Sequence, residues 1–249
     1  WALHQLQVLA ARVLKAYRAY EFHTVYHSIS NFCINDMSAV YLDILKDRLY
    51  CSAPADPSRR AAQTVLHRVL ESLLRLCSPI LSFTADEAWK YLPHQAGRAE
   101  SVHLASFTVL PENYNNRGIA ERWSSLLQVR DRVLKSLEEA RAAKKIGNAL
   151  EACVALRVQE KLYLRLQEYE QELPDLFIVS QVTLERKEGG GDASFENLVA
   201  DGEVEITAAA GEKCGRCWKY SPRVGAHAAH PATCERCAAV LASLDGTGR

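Results

Sequence analysis

The sequence predicts a mainly α protein: an antiparallel helical bundle, then a small α+β unit, then a short cysteine-bearing module. Three observations predict it. Apolar residues recur at helical spacing through the first half, between short polar breaks. Ala152, Val154, Leu156 and Val158 alternate as in a half-buried strand. Near the C-terminus stand two cysteine pairs, Cys214-x2-Cys217 and Cys234-x2-Cys237, with sixteen residues between them.

Leu6, Leu9, Val13, Tyr17 and Tyr20 mark the stripe of a first helix. After a break near Tyr20, the residues Phe22, Val25, Tyr26, Ile29 and Phe32 mark a second. Asp36 reads as the N-cap of a third, carrying Met37, Val40, Tyr41, Ile44, Leu45 and Leu49. Asp56-Pro57 supplies a cap followed by proline at the first helical position. The fourth helix has a broad apolar face from Val65 to Cys77 and stops at Ser78-Pro79. Thr84-Ala-Asp-Glu87 matches a capping box opening a helix through Trp89 to Leu92. Helices of this length on short loops describe an antiparallel bundle.

Val102 to Val109 reads as an extended return segment, with an Asn-rich turn at Asn113–Asn116. A long helix from Gly118 to Lys145 keeps Trp123, Leu126, Leu127, Val133, Leu134, Leu137 and Ala140 on its inner side, and Gly147-Asn148 reads as its stop. After the Ala152–Val158 strand come a helix from Glu160 to Leu173 ended by Pro174, and strands at Ile178–Leu184 and Val204–Thr207. Residues 187–194 read as a flexible turn. The expected domains are 1–115 (bundle), 116–210 (long helix plus α+β) and 211–249 (cysteine module).

Net charge is zero, with 30 Lys+Arg against 30 Asp+Glu, which argues against a generally basic nucleic-acid binder. The distribution is uneven. Residues 116–145 carry 8 basic against 4 acidic groups, residues 146–210 carry 5 against 13, and residues 211–249 carry 6 against 3. A basic helix and a basic terminal module therefore flank an acidic segment. No apolar run approaches the ~20 residues that span a bilayer, and nothing at the N-terminus resembles a signal peptide. Cys33, Cys51, Cys77 and Cys153 lack motif partners and read as small hydrophobes. The expected setting is soluble, reducing and intracellular. Trp1 lies inside a helical pattern and the only methionine is Met37, so the chain reads as part of something larger.

Two cysteines three apart turn both thiolates toward one point, and two such knuckles close a tetrahedron around one Zn2+. Four protein ligands, Cys214, Cys217, Cys234 and Cys237, leave no open position, so this zinc is structural. Two disulfides, or free thiols, are the alternatives. His227 and His230 in the intervening loop read as surface residues. The chain has no Gly-rich phosphate loop, nucleophile elbow or two-histidine metal motif, and no catalytic residue is assigned.

The run Tyr20-Glu-Phe-His-Thr-Val-Tyr-His-Ser-Ile-Ser-Asn-Phe-Cys33, the run from Asp36 to Tyr50 and the run Leu76-Cys-Ser-Pro-Ile-Leu-Ser-Phe-Thr-Ala-Asp-Glu-Ala-Trp89 resemble bacterial-type isoleucyl-tRNA synthetases. So do Gly211-Glu-Lys-Cys-Gly-Arg-Cys-Trp-Lys-Tyr220 and His230-Pro-Ala-Thr-Cys-Glu-Arg-Cys237. The resemblance implies the anticodon-binding bundle and terminal zinc module of a class I synthetase. It implies isoleucine tRNA as partner, through its anticodon stem-loop, together with the upstream domains of the same polypeptide. It further implies a cytoplasmic monomer with no membrane role. The family's His-Ile-Gly-His and Lys-Met-Ser-Lys-Ser signatures do not occur here. ATP use, amino-acid activation and editing are therefore expected in domains outside this chain, which alone is expected to be inactive.

Unstacked loop bases are recognised by aromatic stacking, Arg planes and edge hydrogen bonds. Around the presumed zinc lie Arg216, Trp218, Lys219, Tyr220, Arg223 and Arg236, with Lys213 beside them. Lys46 and Arg48 sit on the helix of the family motif, and Arg130, Arg132, Lys144 and Lys145 lie along the basic helix, where as a set they can track phosphates. Trp218 has two readings, a base-stacking platform or a lid over the zinc. The competing function is a zinc-capped protein-interaction scaffold that binds no RNA.

Overall fold

The computed structural model describes residues 1–107, 110–187 and 199–245. These form two compact units, Trp1–Asp43 with Pro57–Ala120, and Ile44–Asp56 with Glu121–Arg249.

The first unit is helical. Helix α1 (Ala2–Arg18) buries Leu6, Leu9 and Val13 of the predicted stripe together with Ala16, while Tyr17 is half-buried and Tyr20 exposed. It ends with Tyr20 in the left-handed region (φ 58°), where the Glu21 N–H donates to Ala16 (2.9 Å) and the Tyr20 N–H to Tyr17 (3.1 Å). That is a Schellman cap built without glycine. Helix α2 (Phe22–Asn31) follows, and here the sequence expectation needs correction. Asp36 caps nothing. The chain continues from α2 through a π-helical stretch (Phe32–Tyr41) into α3 (Leu42–Cys51), with helical dihedrals at Asn31, Phe32 and Leu42. The wider turn keeps Phe32 and Met37 both buried. Tyr26 and Phe22 of the predicted stripe face solvent, while Val25 is fully buried.

Helix α4 (Pro57–Cys77) starts at its proline, and α5 (Ser82–Lys90) follows. The capping box at Thr84 does not form, because α5 has already begun two residues earlier. Asp86 instead accepts from the Ser101 hydroxyl and pairs with Lys90 at 3.1 Å. The main core joins Leu6, Leu9, Val13, Val25, Phe32, Val69 and Leu76, and a smaller one gathers Leu74, Ala85, Leu92 and Val102 around Trp89. The predicted extended segment after Ser101 begins as a 3-10 turn (Val102–Leu104), with the Ser101 hydroxyl accepting from the His103 N–H. Its last residues, 108 and 109, lie outside the described residues.

The second unit is built on α6 (Arg117–Ala142) and a three-stranded sheet. The helix stops at Ala142 rather than at Gly147. Lys144 adopts φ 57°, the Lys145 N–H bonds Ala140 and the Lys144 N–H bonds Arg141, both at 2.9 Å. Gly147 and Asn148 belong to the next turn, where both donate to the Glu151 carboxylate. Strand β1 (Ala152–Gln159) is central. It runs parallel to β2 (Gln181–Lys187) and antiparallel to β3 (Glu203–Ala208), with Leu156 opposite Leu184 and Val204. Full burial of Val154, Leu156 and Val158 contributes roughly 1.5–3 kcal/mol each.

A parallel pair needs a crossover, supplied here by α7 (Glu160–Gln167) and α8 (Leu173–Leu176). Pro174 lies in the first turn of α8 rather than ending a long helix, and Ile178 makes another left-handed cap (φ 57°) instead of starting a strand. Residues 188–194 of the predicted turn lie outside the described residues. The chain closes with β4 (Glu212–Lys213), β5 (Tyr220–Ser221) and α9 (Glu235–Asp245). Gly211 is required where these short strands meet, since a Cβ there would fall 2.2 Å from the Ser221–Pro222 backbone.

Candidate metal centre and nucleic-acid interface

Each cysteine pair sits on a tight turn. In the first, the Trp218 N–H donates to the Cys214 carbonyl and the Cys214 N–H to the Lys219 carbonyl, both at 2.9 Å. The second pair opens α9. The four sulfurs all lie within 4.8 Å of one another, and Cys217 and Cys234 approach to 3.8 Å. A tetrahedron with zinc–sulfur bonds of about 2.3 Å has edges of about 3.8 Å, whereas a disulfide needs about 2.05 Å. The site thus fits one zinc ion.

Cys214 and Cys237 are fully buried, and among the described residues the apolar cluster around them consists of the other cysteines and Val224. Burial pushes the Cys214 thiol up, but the N–H groups of Cys217, Cys234 and Arg216 outweigh it and bring it down to about 6. One of these is visible as a 3.3 Å bond from the Cys234 N–H to the Cys214 sulfur. Thiolates are the form that binds metal. With four protein ligands, such a zinc holds two knuckles together and has no position for a reacting water.

Every residue proposed from sequence to meet RNA falls in the second unit. Trp218 is 59% exposed, so most of its surface is open to solvent. It adopts φ 65°, a conformation uncommon for a bulky side chain, with the Lys213 ammonium 5.8 Å from its ring centroid. Tyr220 is half-buried in β5, its N–H donating to the Ser180 hydroxyl at 2.6 Å. Arg223 is exposed and pairs with Glu235 at 2.7 Å. Lys46, Lys144 and Lys145 are exposed, and Arg48 is half-buried.

Other cations have protein partners. Lys219 pairs with Asp175. Arg216 donates to the carbonyl of Cys51 and lies 3.9 Å from the Cys237 sulfur. Arg236 grips Asp47 through both carboxylate oxygens, at 2.5 and 2.7 Å. Burial pushes the Asp47 carboxyl up, but the Arg236 guanidinium, with Lys219 nearby, holds it below the usual carboxylate range. On α6, Arg130 is buried and donates to the Leu176 carbonyl (3.0 Å), and Arg132 donates to the Gly202 carbonyl (2.8 Å). Arg130 is thus closed off from any phosphate, whereas Arg132 stays exposed beside its carbonyl partner.

Sequence reasoning missed Asp47, Cys51 and Asp175 as the partners of these cations. The one signal available was positional: Arg216 and Arg236 each stand immediately before the second cysteine of their knuckle, a repetition that suggests a shared structural role.

The chain joins a helical bundle, a small mixed sheet and a four-cysteine knuckle pair, and comparison with known proteins identifies the class. Residues 1–156 match the family described as the anticodon-binding domain of tRNA ligase, and this chain belongs to that family. Residues 211–240 match the zinc finger found in FPG and IleRS. Similar curated proteins are the isoleucine–tRNA ligases of Carboxydothermus hydrogenoformans (49% identical) and Geobacter sulfurreducens (46% identical). The first alignment covers 98% of this chain and the second 97%, and each covers 26% of the relative. That of Syntrophotalea carbinolica is 48% identical over 97% of this chain. The chain thus spans about a quarter of the length of these relatives (26%). Among the described residues, no helix is long and apolar enough to cross a membrane.

Proposed function

We propose that this chain is the tRNA-binding part of an isoleucine–tRNA ligase. It holds the anticodon stem-loop of isoleucine tRNA so that the acceptor end reaches an ATP-dependent catalytic domain elsewhere in the polypeptide. Its contribution to aminoacylation is positioning, and by itself it activates no amino acid. The protein works as a cytoplasmic monomer. Residues 1–115 serve as the bundle domain, residues 116–210 as the connecting α+β part and residues 211–249 as the zinc module, with Cys214, Cys217, Cys234 and Cys237 as ligands.

The observation that carries the reading is Trp218, a large aromatic face held outward on a knuckle whose turn leaves it little freedom. A rigid exposed ring suits an unstacked base, and Lys213 beside it suits the adjoining phosphate. Tyr220 and Arg223 lie along the same short module. Lys46, Arg48, Lys144 and Lys145 supply sequence-independent attraction to the backbone. Arg216, Lys219 and Arg236 hold the module together and meet RNA only through the faces their internal partners leave open.

The test is a filter-binding titration of the chain with isoleucine tRNA and with a non-cognate tRNA, at two salt concentrations. Tighter binding of the cognate tRNA, weakening steeply with salt, is the expected result. Equal, salt-independent and negligible binding of both would instead favour the scaffold.

A further inference from the structure

The two knuckle arginines reach one helix. Asp47 and Cys51 lie four residues apart on α3, so they share a face one turn from each other. Arg236 takes the Asp47 carboxylate, and Arg216 takes the Cys51 carbonyl at the helix end, where carbonyls lack intrahelical partners. The Cys51 thiol completes the second contact, 3.8 Å from the Arg216 carbonyl. The Asp47 side chain is only 13% exposed, while the Arg236 side chain that grips it is 47% exposed. Four thiolates around a divalent ion carry a net charge of about −2, and the Arg216 guanidinium lies against one of those sulfurs. Each arginine therefore links a metal knuckle to α3. Next to them, Ile44 packs on the core formed by α6 and the sheet, and Leu45 is buried. The start of α3 thus meets the core of the second unit independently of the knuckles.

We propose that Asp47 is a positioning residue. Through Arg236, with Arg216 beside it, it fixes the zinc knuckles on the end of α3 and so sets the direction in which Trp218 is presented. Its consequence for RNA rests on the reading that Trp218 faces tRNA. The orientation itself does not.

The test uses the zinc-loaded chain labelled with 5-fluorotryptophan, the Trp218 resonance being identified by its loss in Trp218→Phe. Asp47→Asn keeps the size of the side chain and removes its charge. It is expected to retain zinc and the Trp89 resonance, to shift or broaden the Trp218 resonance, and to weaken isoleucine tRNA binding by roughly 5–30-fold, part of the worth of one base stack. The reciprocal pair Asp47→Arg with Arg236→Asp should restore both signals. An unchanged Trp218 resonance in Asp47→Asn overturns the proposal. So does loss of zinc that the reciprocal pair fails to rescue, since the pair then acts only on metal retention. A displaced Trp218 resonance in a protein whose wild type binds no tRNA leaves Asp47 as the orienting residue and removes the RNA reading instead.

Discussion

The phenol of Tyr17 donates a 2.8 Å hydrogen bond to the carbonyl of Leu76, 59 residues further along the chain. The acceptor lies in the last turn of α4, and the Tyr17 ring stacks on Phe107 at 5.7 Å. Burial, helped by the Cys77 thiol, pushes the phenol up to about 12. An unfolded tyrosine ionises near 10, so this contribution is complete below pH 10 and is lost as pH rises towards 12. Burial also pushes Cys77 up, to about 11, which acts with the same sign. Circular-dichroism melts should therefore show stability falling above pH 10, more steeply in the wild type than in Tyr17→Phe. At neutral pH the variant should be about 1 kcal/mol less stable. Identical alkaline profiles for the two proteins would remove the phenol from this role.

Freshly purified protein should contain about one Zn2+ per chain, and Cys214→Ser or Cys237→Ser should abolish stoichiometric metal. Among the described residues the sulfurs cluster with Val224 alone, so without metal there is too little core to hold β4, β5 and the start of α9. Amide exchange should become fast there while α1 and α4 stay protected by their own core. Retained protection at residues 211–240 after complete chelation contradicts this assignment.

Trp218→Ala should weaken isoleucine tRNA binding by roughly 1–3 kcal/mol, the worth of one base–aromatic stack. The loss should shrink when the anticodon bases are changed, and zinc content, measured on the same sample, should stay at one per chain because most of the Trp218 surface is open to solvent. An unaltered affinity would mean that the exposed ring meets no base.

Lys144 and Lys145 allow charge to be separated from fold. Lys144 occupies a left-handed position, so Lys144→Gly removes a charge and relieves about 1 kcal/mol of backbone strain. Each of Lys144→Gly and Lys145→Ala should lower the salt dependence of tRNA binding by about one unit without changing selectivity. The glycine variant should also melt at a higher temperature. Salt slopes equal to the wild-type value would place both lysines away from the RNA.

The parts of the fold legible in the sequence are those written as period or spacing. Ala152, Val154, Leu156 and Val158 alternate because one face of β1 is buried, and the cysteine pairs are spaced as one metal requires. The illegible parts depend on geometry that no local pattern encodes. Asp36 resembles a cap, yet the helix runs through it as a π-turn that keeps Phe32 and Met37 inside. Tyr20, Lys144 and Ile178 end helices in a conformation where glycine is the usual signal. The arginines of the knuckles look free in sequence because their partners, Cys51 and Asp47, lie 165 and 189 residues away.

Those separations also have a meaning in time. Residues 44–56 belong to the second unit although the chain on either side of them belongs to the first. A ribosome adding roughly 5–20 residues per second takes about 8–30 s to travel from Cys51 to Cys214. Throughout that interval the end of α3 has been made, but its Asp47 carboxylate and its terminal carbonyl at Cys51 lack their arginine partners. Nascent chains halted before the last cysteine pair should therefore be open to protease attack in this short segment, while the helices before and after it are already protected.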